Sequence, residues 1–562
     1  MIRTFLLLEL RLSMDFTNID KGPLGNAGGE EKRAKITSVD SSLANPNEVG
    51  LPMAKPLPLE CAPGAPFAGK LGILTRPENK FKGMGTTSTK CSPPAPCIGG
   101  LPRLFTGIKQ LRAQHPDSVV LNAGDSFQGT LWYNLLRWNV TQYFMNMLPL
   151  DAHTLGNHEF DNGISGLVPY LKNLKAKMLD CNIDDSLEPT IQGLYQDSLV
   201  IERKGRKIGI IGVILQTTDQ LANTEKLKFT DEITAVKRVA EKLTQEGVDI
   251  IIVLSHCGID VDRLIAAGAG PNIDLIVGGH THTLLYPTGA TPPNGVALDD
   301  YPIAVNQTSG ATVLIVQASA YTKYLGFLEI FFDSNGKVNN WNGRPIYLDA
   351  SIEQDQEIVK LMEPYKTQVD ALGKRVLGTT NVQLDKGQCY SGECNIGNFI
   401  TDAFVDHVKI SHCDLFVSAI TYEDLVIAQP FSNILQTFDI KGKYILEALE
   451  HGTSDSLSKD LFMGQYMVQV SGLNVVYNVT RPIGNRVVSA TIRCAKCALP
   501  ATYSPIEPET KYRLAAPDFL GNGGDGFSNI KNWGVDIDIL EEYIAKESPI
   551  NAGLEGRITI LK

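Results

Sequence analysis

Two short segments, Asn122-Ala-Gly-Asp-Ser-Phe-Gln-Gly-Thr130 and Gly156-Asn-His-Glu-Phe-Asp161, carry residue types that bind divalent cations and move protons. Two more, Ser255-His256 and Gly278-Gly-His280-Thr-His282, add imidazoles at close spacing. Carboxylate, amide and imidazole donors in this mix suit zinc, manganese or a related ion. A pair of such ions would bind phosphate oxygens and activate water for in-line attack. That chemistry needs one carboxylate shared between the metals and neutral ligands filling the remaining positions. A single histidine in such a stretch is usually a satisfied core or surface residue. The convergence of several argues for a metal.

Convergence requires elements that end at one place. Ser118–Asn122, Asp249–Leu254 and Ile273–Val277 are apolar runs that read as buried strands, each leading into one of these segments. Ligands of open α/β sheets gather at the carboxyl ends of strands. From Gly69 to Leu348 such runs alternate with amphipathic stretches, with Lys207–Val213 as a strand and Glu232–Leu243 as a helix. Residues 69–348 therefore read as one α/β domain. Ser351 to Leu372 predicts a helix with Ile352, Ile358, Val359, Met362, Val369 and Leu372 on its apolar face. Pro364 lies inside it and Gly373 would stop it, so 349–373 is a linker. Residues 374–562 form a second α/β domain. Residues 1–68, rich in Gly, Pro, Ser and Asn, show no sustained periodicity and read as disordered or foreign to the fold.

The net charge of −11 argues against general nucleic-acid binding. No apolar run is long enough for a transmembrane helix. Phe5-Leu-Leu-Leu8 is cut short by Glu9 and Arg11, too soon for a convincing signal peptide, and no lipid-anchor signal is visible at the other end. Ten cysteines include three close pairs, Cys91 with Cys97, Cys389 with Cys394, and Cys494 with Cys497. Free thiols or a zinc knuckle are alternatives, but only Cys494-Ala-Lys-Cys497 has C-x-x-C spacing. Three local disulfides, and hence an oxidising compartment, are expected. Cys181 and Cys257 read as buried thiols. Sequons at Asn139, Asn306 and Asn478 accord with a soluble secreted protein.

The Gly-Asp, Gly-Asn-His-Glu and Gly-His-x-His blocks resemble those of calcineurin-like metallophosphoesterases. The fuller strings around Asp125 and Asn157 are similar to the 5′-nucleotidase/apyrase branch, and Leu131–Thr141 to secreted salivary apyrases of blood-feeding arthropods. The resemblance runs from about Thr86 to Lys562. It implies a layered α/β/β/α sandwich followed by a second α/β nucleotide-binding domain, with the joining helix as a hinge. It implies hydrolysis of extracellular ATP, ADP or AMP with zinc, calcium, manganese or magnesium, in an anti-haemostatic role. Asp125 would bridge the metals, Asn157, His256 and His280 would complete one site, and His282 would serve the other. His158 would face the scissile phosphate, with Asp161 fixing its tautomer; alternatively Asp161 only caps the turn at Gly163. Phe431 and Phe519 would sandwich the base and Asp525 would bind ribose. Without the resemblance, both phenylalanines would be read as core.

The chain also departs from the family. Members open with a strand ending in Asn-Asp-x-His, whereas Lys70 to Lys80 offers only Glu78, beside Pro77. Of the first metal's ligands, Asp125 and His282 remain, so that site is expected to be impaired. The Asn-Gly-Gly-x-Arg loop due after Ser418 is replaced by Ala419-Ile-Thr-Tyr-Glu423, and the arginine due after Cys389 is Tyr390. Either catalysis has been lost, leaving a secreted nucleotide-binding or interaction protein, or segments of the coding sequence are missing or replaced. The character of the first 68 residues favours the second reading. A phosphodiesterase or sugar-nucleotide hydrolase on the same scaffold is a third class.

Overall fold

A computed structural model of the chain describes residues 5–12, 98–333, 336–384, 389, 391–407, 419–422, 425–426, 434–454, 467–493, 502–517 and 531–561. Its first region contains strands β1 (Phe5–Leu12), β2 (Val119–Asn122), β3 (Ala152–Thr154), β4 (Lys177–Leu179), β5 (Ile183–Asp184), β6 (Ser198–Arg203), β7 (Arg206–Ile214), β8 (Lys228–Phe229), β9 (Ile250–His256), β10 (Leu275–Gly278), β11 (Ile303–Asn306), β12 (Thr312–Val316), β13 (Tyr324–Phe332) and β14 (Val338–Gly343). The helices are α1 (Leu101–Gln114), α2 (Leu131–Met145), α3 (Gly163–Asn173), α4 (Thr218–Leu221), α5 (Glu232–Gln245), α6 (Ile259–Gly268) and α7 (Gln356–Gly373).

Two sheets face each other. One runs β14-β13-β1-β2-β3-β4 and the other β11-β12-β10-β9-β7-β6. Successive strand residues point to opposite faces, and β2 shows the consequence. Val119 and Leu121 enter the core between the sheets with Ile208, Ile252 and Ile276. Val120 enters the outer core, with Leu104, Phe144 and Met362 from α1, α2 and α7. Every residue of β9 is buried, as expected of a parallel strand covered on both faces. Its outer cover is α5, whose Ala235, Val236, Val239, Ala240 and Leu243 are buried on one stripe. At Gly212 a Cβ would meet Leu179 O at 2.0 Å, so glycine lets β7 approach β4 where the sheets touch. The layers are α/β/β/α.

The linker helix begins later than its apolar spacing suggests. Asp355 is its N-cap, its carboxylate accepting from Glu357 N and Ile358 N at 3.1 Å. Ile352 therefore lies outside the helix, and Gly373 is its last residue rather than a stop beyond it. Buried Ile358, Met362 and Val369 share one apolar core with residues of α1 and α2 and with Phe399, Ile420 and Leu540 further along the chain.

Beyond α7, Ile434–Lys441 pairs antiparallel with Lys511–Pro517 and Lys531–Val535, and Leu473–Asn478 pairs with Val487–Arg493 and Ile558–Leu561. A disulfide joins Cys389 to Cys394. The other two expected pairs, Cys91 with Cys97 and Cys494 with Cys497, lie outside the described residues. Cys181 and Cys257 are free and buried. Among the described residues, no helix is long and apolar enough to cross a membrane.

The amino-terminal stretch departs from expectation. Phe5–Leu12 is a strand rather than irregular chain, inserted between β13 and β2. It runs parallel to β13 and antiparallel to β2, with Phe5 opposite Asn122 and Leu8 opposite Val119. Its amino end therefore lies at the end of β2 that leads to Asp125.

Candidate active site

The carboxyl ends of β2 and β3 in one sheet, and of β9 and β10 in the other, carry the sequence-derived ligands. Asp125 follows β2 and is fully buried. Its Oδ2 lies 3.1 Å from His256 Nε2, at the end of β9. Its Oδ1 accepts from His158 N at 2.9 Å, which ties the loop after β2 to the loop after β3. Asn157 Oδ1 lies 3.1 Å from His280 Nδ1, and the His256 and His280 rings stand edge to face, centroids 5.3 Å apart. His282 packs its ring 5.5 Å from that of Tyr321.

Glycines permit this crowding. A Cβ on Gly156 would fall 2.2 Å from Asp125 Oδ1. Three of the candidate ligands also hold left-handed backbone: Asp125 at φ 54, His280 at φ 70 and His282 at φ 57. Strained backbone of this kind concentrates at functional sites.

Beside these residues, His158 Nδ1 stands 2.7 Å from Asp161 Oδ2. Both side chains are mostly but not fully buried, at 15% and 11% exposure, so the ring keeps a face toward solvent. Tyr133 Oη donates to Asn162 Oδ1 at 2.7 Å, bracing the turn that carries Asp161.

Sequence reasoning missed three supports. Glu159 Oε2 accepts from Asp125 N at 2.8 Å and Gly156 N at 2.6 Å, while Oε1 accepts from Ser126 N and, at 3.1 Å, Phe127 N. Burial and the nearby Asp125 carboxylate push its pKa up, and the backbone donor at Gly156 opposes them. The second support, Asp262, accepts from Ser255 Oγ at 2.5 Å beneath the end of β9. Burial raises its pKa to about 7. The third is Gln317, which grips the turn bearing His280 and His282. Glu159 stands in plain view inside the Gly-Asn-His-Glu block; Asp262 and Gln317 carry no motif signal.

Phe431, Phe519 and Asp525 lie outside the described residues, as does Tyr390. Of the segment replacing the expected loop, Ala419 to Thr421 forms a short strand.

Comparison with known proteins decides the lineage. Residues 91–284 match the calcineurin-like phosphoesterase model and residues 376–532 the 5′-nucleotidase C-terminal domain. An apyrase of Tabanus yao is 45% identical over 511 residues, covering 86% of this chain and 92% of that protein. The chain belongs to the 5′-nucleotidase/apyrase family. Human 5′-nucleotidase is 36% identical over 506 residues, covering 84% of this chain and 87% of that protein. The crystal structure of a 5′-nucleotidase precursor from Thermus thermophilus superposes with a TM-score of 0.68 at 31% identity, covering 83% of this chain and 94% of that one. This is a family of metal-dependent nucleotide phosphohydrolases.

Family membership implies divalent metal ions, and the donor chemistry here can be tested against them. Among the described residues, no three His, Cys, Asp or Glu side chains stand close enough together to hold a metal. The candidate ligands instead close on one another in pairs, Asp125 with His256 and Asn157 with His280. The first pair is informative. His256 Nδ1 lies 2.6 Å from Ala123 O, and a carbonyl can only accept, so Nδ1 carries a hydrogen. In the neutral ring, Nε2 then presents a lone pair to the carboxylate oxygen 3.1 Å away. Two acceptors so placed repel unless a proton or a cation lies between them. The Asp125–His256 contact therefore holds a proton or a cation, and the carboxylate, amide and imidazole donor types of the set suit a divalent ion.

Proposed function

We propose that this chain is a secreted nucleotide phosphohydrolase acting on extracellular ATP, ADP or AMP, with an anti-haemostatic role. The observation that carries the reading is the juxtaposition of Asp125, Asn157, His256 and His280 beside the His158–Asp161 pair. It occurs in a chain 45% identical to an apyrase. When bound, a divalent ion would polarise phosphate oxygens and lower the pKa of water. Asp125 and Asn157 would hold it through oxygen, and His256 and His280 through nitrogen. The imidazoles favour zinc or manganese over calcium or magnesium. Asp161 Oδ2 holds the Nδ1–H of His158 and leaves Nε2 for the substrate. From there the ring would stabilise charge on the phosphate or give a proton to the leaving oxygen.

Turnover by the chain as it stands is proposed to be low. The slot beside β2 is filled by β1, which runs the wrong way to deliver a ligand at its carboxyl end. That leaves Asp125 and His282 without the Asp-x-His pair. The same observation favours a second reading, a secreted nucleotide-binding protein that no longer turns over.

Metal analysis of the purified chain, combined with phosphate release from ATP, ADP and AMP, tests these statements. One tightly held ion with slow release is expected. Two tight ions would remove the impaired site, and none would remove the metal reading. Nucleotide binding without any release would favour the second reading.

A further inference from the structure

Gln317 follows β12 directly and is 1% exposed. β12 pairs in parallel with β10, with Val316 opposite Val277. That register sets Gln317 beside Gly278, where the turn bearing His280 and His282 begins. Its amide spans the turn. Nε2 donates to Gly279 O at 2.9 Å. Oε1 accepts from Thr281 Oγ1 at 3.2 Å and from Thr283 N. Residues 279, 281 and 283 bracket both histidines, so one side chain holds the backbone before and after them and the Thr281 hydroxyl between them.

The packing is tight. A Cβ on Gly278 would meet Gln317 Nε2 at 3.2 Å and Asp262 Oδ2 at 2.2 Å. Thr281 Oγ1 also accepts from Ile259 N at 3.1 Å, which fixes the middle of the turn to the start of α6. His280 and His282 both hold left-handed backbone, at φ 70 and φ 57. L-residues hold that conformation only when their surroundings over-determine it. Gln317 contributes to that over-determination, because its amide offers a donor to Gly279 O and an acceptor to Thr281 and Thr283 together.

We infer that Gln317 is the positioning residue for both histidines of the turn and thereby sets the affinity of the metal site. The inference rests on reading His280 and His282 as metal ligands. It gives Gln317 no contact with substrate or ion. Its effect passes through the backbone into the direction of two imidazoles, so it must appear in metal affinity and ligand-field geometry as well as in stability.

Cobalt(II) binding to the full chain tests it, read by visible absorption and by competition with a chelator. Gln317→Glu keeps the acceptor for Thr283 N and Thr281 but turns an oxygen toward Gly279 O. Gln317→Met keeps the volume and loses every bond. With far-UV circular dichroism unchanged, both should bind cobalt more weakly, by about tenfold or more. Gln317→Met should be the weaker of the two, and both should show altered visible bands. His280→Ala is the control that loses the site itself. Unaltered affinity and spectrum in both Gln317 variants, with binding lost in His280→Ala, would overturn the inference while leaving the metal site standing. Absence of cobalt binding by the unsubstituted chain would overturn the inference and the metal reading together. If neither Gln317 variant folds, Thr281→Val carries the test by removing the hydroxyl between Gln317 and the turn. Weaker cobalt binding by that variant supports the inference, and unchanged binding overturns it.

Discussion

His158 Nδ1 and Asp161 Oδ2 are 2.7 Å apart, at the surface end of an otherwise buried cluster. A carboxylate at that position accepts the Nδ1 hydrogen and fixes the tautomer, so the opposite ring nitrogen is the one that meets a ligand. Asp125 Oδ1 accepts from His158 N at 2.9 Å, which ties the same residue to the candidate metal ligand through its backbone. Backbone and ring thus serve different partners.

Separate partners mean separable effects. His158→Ala should lower phosphate release by about 10²-fold or more while metal content stays that of the parent chain. Asp161→Asn should lower release in the same direction, since an amide holds the tautomer less firmly. Phosphate-release kinetics with metal analysis on the same samples checks both. Equal rates in parent and His158→Ala would take the ring out of the reaction, and loss of metal would make His158 a structural residue.

The strand ends are legible in the sequence because short apolar runs lead into the ligand segments, and both signals are local. The start of α7 is less so. Ile352 fits the helical spacing, but Asp355 caps the first turn and sets the boundary. Gln317 and Asp262 are invisible for a different reason. Each acts across a sheet register or a helix–strand contact, and nothing in their neighbours marks a buried polar residue. The charges of β1 mislead. Glu9 and Arg11 interrupt a continuous apolar run, yet with Leu8, Leu10 and Leu12 they make the alternation of a strand.

His153 offers a prediction about acid stability. It is 1% exposed, and burial pulls its pKa down to about 4. Its Nδ1 lies 3.3 Å from Asn122 Nδ2, which can only donate, so the neutral ring accepts there. The folded pKa lies below the ordinary value of 6.5, so protons bind the unfolded chain first. The stability from keeping this ring neutral is full above pH 6.5 and is lost as pH falls to about 4. At most the loss is on the order of 3 kcal/mol. His153→Gln keeps an acceptor for Asn122 and does not titrate. Urea midpoints between pH 7 and pH 4 should fall less steeply in that variant than in the parent. Parallel slopes would show that His153 is not the group responsible.

The direction of β1 yields the last prediction. A strand that delivers a ligand beside Asp125 at its carboxyl end must run in the same sense as β2, because β2 leads to Asp125 at its own carboxyl end. β1 runs opposite, with Phe5 against Asn122 and Leu8 against Val119. Leu12 therefore lies toward the far edge of the sheet, away from the site. Adding Asp-x-His after Leu12 should change neither metal content nor rate. Replacing residues 1–80 with a strand of alternating apolar residues ending in Asn-Asp-x-His should let that strand enter the slot between β2 and β13 in the other sense. A second ion should then bind tightly, even with the Ala419–Glu423 segment unchanged, because the metal shell does not depend on the nucleotide loop. Release of phosphate from a small aryl phosphate, which needs no base recognition, should rise by about 10²–10³-fold, the scale of one recovered transition-state contact. Metal stoichiometry separates the two designs before any rate is measured. If both gain the second ion, the sense of β1 is not what impairs the site. If neither does, Asp125 and His282 are not the remainder of a second metal shell.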